Sequence, residues 1–212
     1  MAWRASWVVG CRLTEIVYRW LSGVKIVDMD SLTKAIAVLH EEHRLPHIII
    51  TSIRFPSSGP MGAVPTLNIV GSTRLSDCKP RIFKIEFPAL DCFFSGTGDM
   101  FAALMLARLR EAVSKIQGLT ERDSWISEDD VKAVDLPLAR AAEIALASMQ
   151  DLLAITKQKR DRLLERLDED MDTKKKHILT TRAAEVQLVR NLECLRSPAV
   201  SYKAEAVEFT GI

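Results

Sequence analysis

Ser95-Gly96-Thr97-Gly98-Asp99 runs directly into Met100-Phe101-Ala102-Ala103-Leu104-Met105-Leu106-Ala107. Glycines at 96 and 98 let the backbone turn sharply and let a ligand approach closely. The apolar run that follows predicts a buried helix over residues 100–113. The first amides of such a helix lack intrahelical acceptors and, with the helix dipole, form an anion hole suited to a phosphate. An acid at position 99 does not help to bind an anion by charge. It fits a carboxylate that orients a neutral hydroxyl and accepts its proton as the hydroxyl attacks the phosphate. The plain alternative is a tight turn in which Asp99 is only a helix N-cap.

Outward from this motif the chain reads as α/β. Asp30 or Ser31 is placed to cap a helix running to about His43, with Leu32, Ile36 and Leu39 on one apolar face and Pro46 ending it. His47-Ile48-Ile49-Ile50-Thr51 predicts a strand buried on both faces, and helix followed by buried strand is the rhythm of a parallel sheet. Pro56-Ser57-Ser58-Gly59-Pro60-Met61-Gly62 has loop composition. Residues 66–71 and 81–87 predict an antiparallel pair of strands, the second alternating Phe83, Ile85 and Phe87 with Lys84 and Glu86. Residues 118–135 read as a polar, acidic loop with Ser127 placed to cap a short helix, and residues 136–155 as a second apolar helix. From Thr156 to Thr181 the residues turn to Lys, Arg, Asp and Glu. Lys157–Asp161 and Arg166–Asp170 form i,i+4 pairs of opposite sign, as in a solvated helix or a flexible insert.

Composition narrows the function classes. A chain of 212 residues that is 48% apolar and 27% charged is long enough for one domain with a core. A formal net charge of +1 gives no field to attract nucleic acid or an anionic membrane, and the acids near Lys174-Lys175-Lys176 argue against a nucleic-acid role there. No apolar run reaches the ~18 residues of a spanning helix, and Arg12 ends the short apolar stretch at the N-terminus, which does not read as a signal peptide. The four cysteines are scattered, so reduced thiols in a cytoplasmic protein are the plain expectation. His40 and His43, spaced i,i+3, fit a solvated helix end rather than a metal site.

Gly96-Thr97-Gly98-Asp99-Met100-Phe101-Ala102-Ala103 resembles the Gly-Thr-Gly-Asp-(Leu/Met)-Phe-Ala-Ala of the pyridoxal kinase branch of the ribokinase-like family. The resemblance extends over roughly residues 21–209, most closely to fungal members with inserts like 156–181. Leu21-Ser22-Gly23-Val24-Lys25-Ile26 is similar to the family's leucine-leucine-serine-glycine segment. Ile48-Ile49-Ile50-Thr51-Ser52 is similar to the strand ending in Thr-Ser beside the ATP phosphates, and Ile69-Val70-Gly71-Ser72 to the start of the next hairpin. Leu90-Asp91-Cys92 aligns with the stretch lining the nucleotide, and residues 185–192 followed by Pro198 with the last helix and final strand.

The resemblance implies a three-layer α/β/α sandwich of ribokinase-like fold, incomplete at its N-terminal side, with residues 1–20 as a non-matching segment. It implies ATP-dependent phosphorylation of the 5′-hydroxymethyl of pyridoxal, pyridoxine or pyridoxamine in vitamin B6 salvage, with Mg²⁺ accompanying ATP, and a homodimer. Asp99 is then the base at the substrate hydroxyl. The Gly96, Thr97 and Gly98 amides form the anion hole, Thr51 and Ser52 lie near the phosphates, and Leu90, Asp91 and Cys92 near the nucleoside. No residue of the chain is assigned as a metal ligand. Two departures matter. Family members carry well over 100 further residues before the Leu-Ser-Gly segment, which supply most contacts to the pyridoxal ring. Thr14 and Val17 stand where the family has the Asn and the Glu of the ATP–metal site. These departures keep two alternatives open: a catalytically inactive nucleotide-binding module, and a kinase for another small alcohol.

Overall fold

The isoleucine run of residues 48–50 is buried from both sides. In the computed structural model, which describes residues 19–55, 65–92, 94–166, 171–186 and 188–209, it lies in β1 (His47–Ile53). Because side chains alternate across a strand, Ile48 and Ile50 join Val70 and Ile82 on one face. Ile49 joins Ile69, Phe83, Ile85 and Phe87 on the other.

The sheet is completed by β2 (Thr66–Arg74), β3 (Pro80–Pro88) and β4 (Glu205–Val207), in the order β1-β2-β3-β4. Every pairing is antiparallel. The β2–β3 pair is antiparallel as expected, but the parallel sheet expected from the helix–strand rhythm is not what the described residues form. Strand β1 instead pairs antiparallel with β2, and the five residues between β2 and β3 are too few for a crossover, so those two also run in opposite directions. The β2–β3 connection is a tight turn in which Leu75 N–H donates to Lys79 O, with Cys78 at φ 70°.

Helix α1 (Met29–His43) covers one face through Leu32, Ile36 and Leu39. Its N-cap is Asp28, not Asp30 or Ser31. Asp28 accepts from the Ser31 amide, and the Ser31 hydroxyl accepts from the Asp28 amide, a reciprocal capping box. On the other face lie α2 (Thr97–Ser114) and α3 (Pro137–Leu164), joined to the sheet in one core by Met100, Phe101, Met105, Leu109, Leu138, Ala142, Leu146 and Leu152. The result is the expected α/β/α layering. Helix α3 runs on past residue 155 because its charged end is rich in helix formers and carries a Lys157–Asp161 ion pair of 2.6 Å at i,i+4. Helix α4 (Thr173–Ala183), capped by Asp172, follows it. Residues 185–192, expected as the last helix, form turns among the described residues. The short helix there is α5 (Glu193–Arg196), before the final strand β4.

Residues 118–135 hold three 3₁₀ turns, and Ser127 is not a cap. It is buried, and its carbonyl accepts from Arg81. The Pro56–Gly62 loop and the positions of Thr14 and Val17 lie outside the described residues. No helix among the described residues is long and apolar enough to cross a membrane.

Gly71 shows how closely β2 and β3 approach. It is paired with Phe83 in register, and a Cβ at 71 would fall 2.2 Å from the Phe83 ring. The Gly71→Ala variant is therefore expected to lose about 1–3 kcal/mol, the usual cost of overpacking, measured as a lower urea midpoint. A second expectation concerns pH. His40 is fully buried, with Nδ1 at 2.6 Å from Leu45 O and Nε2 at 2.8 Å from the Ser72 hydroxyl. Burial holds its pKa down at about 4. The folded state keeps this ring neutral while the unfolded chain protonates it below about 6.5, so its contribution is full above that pH and is lost as pH falls towards 4. His47 shifts in the same direction, also through burial, but part of its ring meets solvent, so its effect is smaller. Urea unfolding at about pH 7.5 and pH 5 should differ by roughly 1–2 kcal/mol from His40, and His40→Gln should flatten that dependence.

Candidate functional site

The loop after α2 fixes which end of the sheet receives the Gly-rich turn. Ser124 O bonds the His47 ring at the start of β1, at 2.7 Å. Asp129 bonds Ser76 in the β2–β3 turn. Arg81, at the start of β3, donates to the carbonyls of Ser127, Glu128 and Val131. The C-terminus of α2 therefore lies at the end of the sheet where β1 and β3 begin. Its N-terminus lies some 27 Å away, at ~1.5 Å per residue, at the end where β1 and β3 finish. The β-ladder brings Ile53 opposite Asn68 and Thr66 opposite Pro88 at that same end. Thr51, Ser52, Leu90–Cys92 and Gly96–Asp99 thus gather at one edge of the sandwich.

Gly96 is the N-cap of α2, in the left-handed region at φ 82°, and no side chain caps the helix. A Cβ at 96 would meet nothing within 4 Å, so glycine is required by the backbone angle and not by crowding. The first helical bond runs from Met100 N–H to Gly96 O at 3.3 Å, which leaves the amides of Thr97, Gly98 and Asp99 without intrahelical acceptors. Asp99 sits in the first turn, exposed, and its carboxylate has no hydrogen-bond or ion-pair partner among the described residues. It is not the N-cap, so capping does not account for it.

Thr51 and Ser52 lie where the β1–β2 register slips between Ile50 and Ile53. This is a bulge, a feature common beside active sites. Ser52 is exposed and has φ 59°, a conformation that non-glycine residues adopt only where surrounding structure imposes it. Leu90–Cys92 makes a tight turn closed by Cys92 N–H to Leu90 O at 2.8 Å; Asp91 is exposed and Leu90 and Cys92 are half-buried.

Two contacts at this edge had no signal in the sequence. Ser95, next to the N-cap, forms an isolated parallel bridge with Glu185. Just beyond Glu185, an open cleft of about 500 Å³ is lined by Val186, Leu188, Val189 and Arg190. On the other side of the turn, Lys157 of α3 lies within Coulombic reach of Cys92. Among the described residues no group of three or more His, Cys, Asp or Glu side chains converges as a metal site.

If the left-handed angle at Ser52 is stored strain, Ser52→Gly should hold or raise stability by about 0.5–1 kcal/mol, whereas Ser52→Val should lower it by at least as much. Thermal unfolding of the two variants checks this.

No family model matches the chain. A Schizosaccharomyces pombe protein described as a candidate pyridoxal kinase is 33% identical over 129 residues, 60% of this chain and 35% of its own length. The pyridoxal kinase of Arabidopsis thaliana is 27% identical over 188 residues, 87% of this chain and 46% of its own length. Among solved structures, the Leishmania donovani pyridoxal kinase in complex with ADP superposes with a TM-score of 0.58 at 18% identity, over 92% of this chain and 51% of that one. The same enzyme has been solved with ADP and pyridoxamine. This chain spans between about a third and a half of the length of the curated relatives it matches. It is similar in sequence to the pyridoxal kinases, and its fold is the ribokinase-like fold of their solved structures.

Proposed function

We propose that this chain is the ATP-binding part of a pyridoxal kinase, which transfers the terminal phosphoryl group of ATP to the 5′-hydroxymethyl of a vitamin B6 vitamer. The observation that carries this reading is the open first turn of α2. Free amides and an unpartnered carboxylate stand together at the sheet edge, in a fold shared with a kinase solved with ADP and pyridoxamine.

On this reading each group has its own part. The amides of Gly96, Thr97 and Gly98 hold the phosphoryl group as its charge spreads in the transition state. Asp99 accepts the hydroxyl proton while the hydroxyl oxygen bonds to phosphorus and the bond to the bridging oxygen of ADP breaks. Thr51 and Ser52 approach the phosphates from the β1 bulge. Leu90, Asp91 and Cys92 border the nucleoside, and the cleft beyond Glu185 gives it an apolar wall. ATP is used with a divalent cation such as Mg²⁺. The described residues offer that ion no ligand cluster of their own, so phosphates and water would supply most of its ligands. Vitamer binding, a cytoplasmic location and a homodimer come with this reading.

The second reading, a nucleotide-binding module without turnover, is favoured by one observation: Val17 and Thr14 stand where a carboxylate and an amide are needed. The two readings separate on ATP binding and turnover of the purified chain. The chain alone should bind ATP and turn over little. Joined at about Leu21 to the N-terminal half of a pyridoxal kinase, it should phosphorylate pyridoxal. Asp99→Asn in that fusion should bind ATP normally and turn over roughly 10²–10⁴ times more slowly. Near-full turnover by Asp99→Asn would leave Asp99 without a catalytic role. A fusion that folds, binds ATP and transfers no phosphate would favour the inactive module.

A further inference from the structure

The charged stretch that reads as a solvated insert begins within Coulombic reach of Cys92, and just past its end the chain pairs with Ser95. Ser95, the residue before the N-cap, pairs with Glu185, two residues past the end of α4. Ahead of it in the chain, Cys92 lies within Coulombic reach of Lys157 on α3. The course of α3 makes the second placement a consequence of the fold. Glu143, in the first half of α3, accepts from Ala204 N–H at 2.9 Å and pairs with Lys203 at 3.2 Å, just before β4 pairs with residues 82–84 of β3. Some 21 Å further on, at ~1.5 Å per residue, the helix has passed the end of β3 and reached Lys157. Helix α2 runs the opposite way along the same core, so its first turn is at that level too.

We infer that Lys157 is a nucleotide-binding residue, a cation set beside the anion hole for the polyphosphate of ATP. This rests on the kinase reading above. Lys157 shares Asp161 with Arg160: the carboxylate is 2.6 Å from the Lys157 ammonium and 3.2 Å from the Arg160 guanidinium. Two cations on one carboxylate leave the cluster with a net positive charge. Asp161 also keeps the ammonium protonated, raising its pKa chiefly through their hydrogen bond. All three side chains are partly exposed, so they can turn towards a ligand without leaving the core short of contacts. Asp161 and the polyphosphate then compete for Lys157, and the two substitutions must act with opposite sign.

The test is calorimetric titration of the full chain with ATP and with adenosine, for the wild type, Lys157→Met and Asp161→Asn, at low and high salt. Lys157→Met should weaken ATP about three- to tenfold at low salt and leave adenosine unchanged, with the difference shrinking at high salt. Asp161→Asn should tighten ATP by a similar factor. Thermal unfolding of both variants reports any loss of helix stability separately. Equal ATP affinity in the wild type and Lys157→Met, or an equal loss of ATP and adenosine, would overturn the role of Lys157 and leave the kinase reading standing. A wild-type chain that is folded and binds no ATP would overturn both.

Discussion

The buried Arg81 guanidinium decides which way round the site is built. It is only 8% exposed, and its two terminal nitrogens donate to backbone carbonyls of the loop after α2 and to Arg74 O, with Nε left without a partner and no carboxylate in direct contact among the described residues. Burial lowers its pKa, while the nearby charges of Asp129 and Asp130 oppose that shift. A guanidinium stripped of water must be satisfied by something, and several carbonyls aimed at one cation make a loop that cannot be placed elsewhere. With the loop held at the beginning of β3, α2 has one direction left. Its open first turn must face the end where the β1 bulge and the Leu90–Cys92 turn also lie. A residue at the opposite end of the sheet thus sets where the amides and Asp99 stand.

The parts of the site that were legible in the sequence are those in which a few adjacent residues define their own geometry. Glycines before an apolar helix dictate an open N-terminus whatever surrounds them, and Gly96 at φ 82° has the conformation its identity suggests. Alternation made β3 readable because one face of the sheet is filled from end to end. What failed depended on partners distant in the chain. A helix–strand rhythm points to a parallel sheet, but strand direction is set by which strands pair, and here each strand pairs antiparallel with its neighbour. The cap of α1 was placed two or three residues late because Asp28 precedes two further polar residues that could serve equally. Ser52 gave no sign of a left-handed backbone, since the bulge that imposes it exists only in the ladder with β2. The charged stretch from Thr156 to Thr181 looks solvated by composition, and only the folded chain shows that Glu185, just past its end, pairs with Ser95.

The two ends of the sandwich differ in how their polar groups are treated. At the Arg81 end many are paired with one another, His47 with Thr73 and Ser124, Ser76 with Asp129 and Arg122 with Glu128, while the buried Nε atoms of Arg74 and Arg81 and the Ser127 hydroxyl have no partner among the described residues. At the Gly-rich end, among the described residues, they are left open: helical amides without acceptors, an unpartnered Asp99, and a bulge where two residues leave the ladder. Matched polar groups stabilise a fold, whereas open ones at the same cost in ordering make sense where a ligand completes them. The strained angle at Ser52 lies at the open end, where backbone strain tends to be kept.

Placing a carboxylate in an anion hole looks self-defeating, because Asp99 and a phosphate compete for the same helix dipole. On the proposed reaction the conflict is confined to the ground state. While the alcohol keeps its proton, the negative Asp99 repels the phosphoryl group and holds ATP less tightly than the amides alone would. As the hydroxyl attacks, its proton moves onto Asp99 and the repulsion fades while charge accumulates on the transferring oxygens. The amides then act on the phosphoryl group without opposition. An interaction that is unfavourable before the reaction and vanishes during it lowers the barrier as surely as one that forms there, since only the difference between the two states counts. The exposed, unpartnered carboxylate is therefore not a flaw in the phosphate site. On the proposed reaction, it is what would separate a site that transfers a phosphoryl group from one that merely binds it.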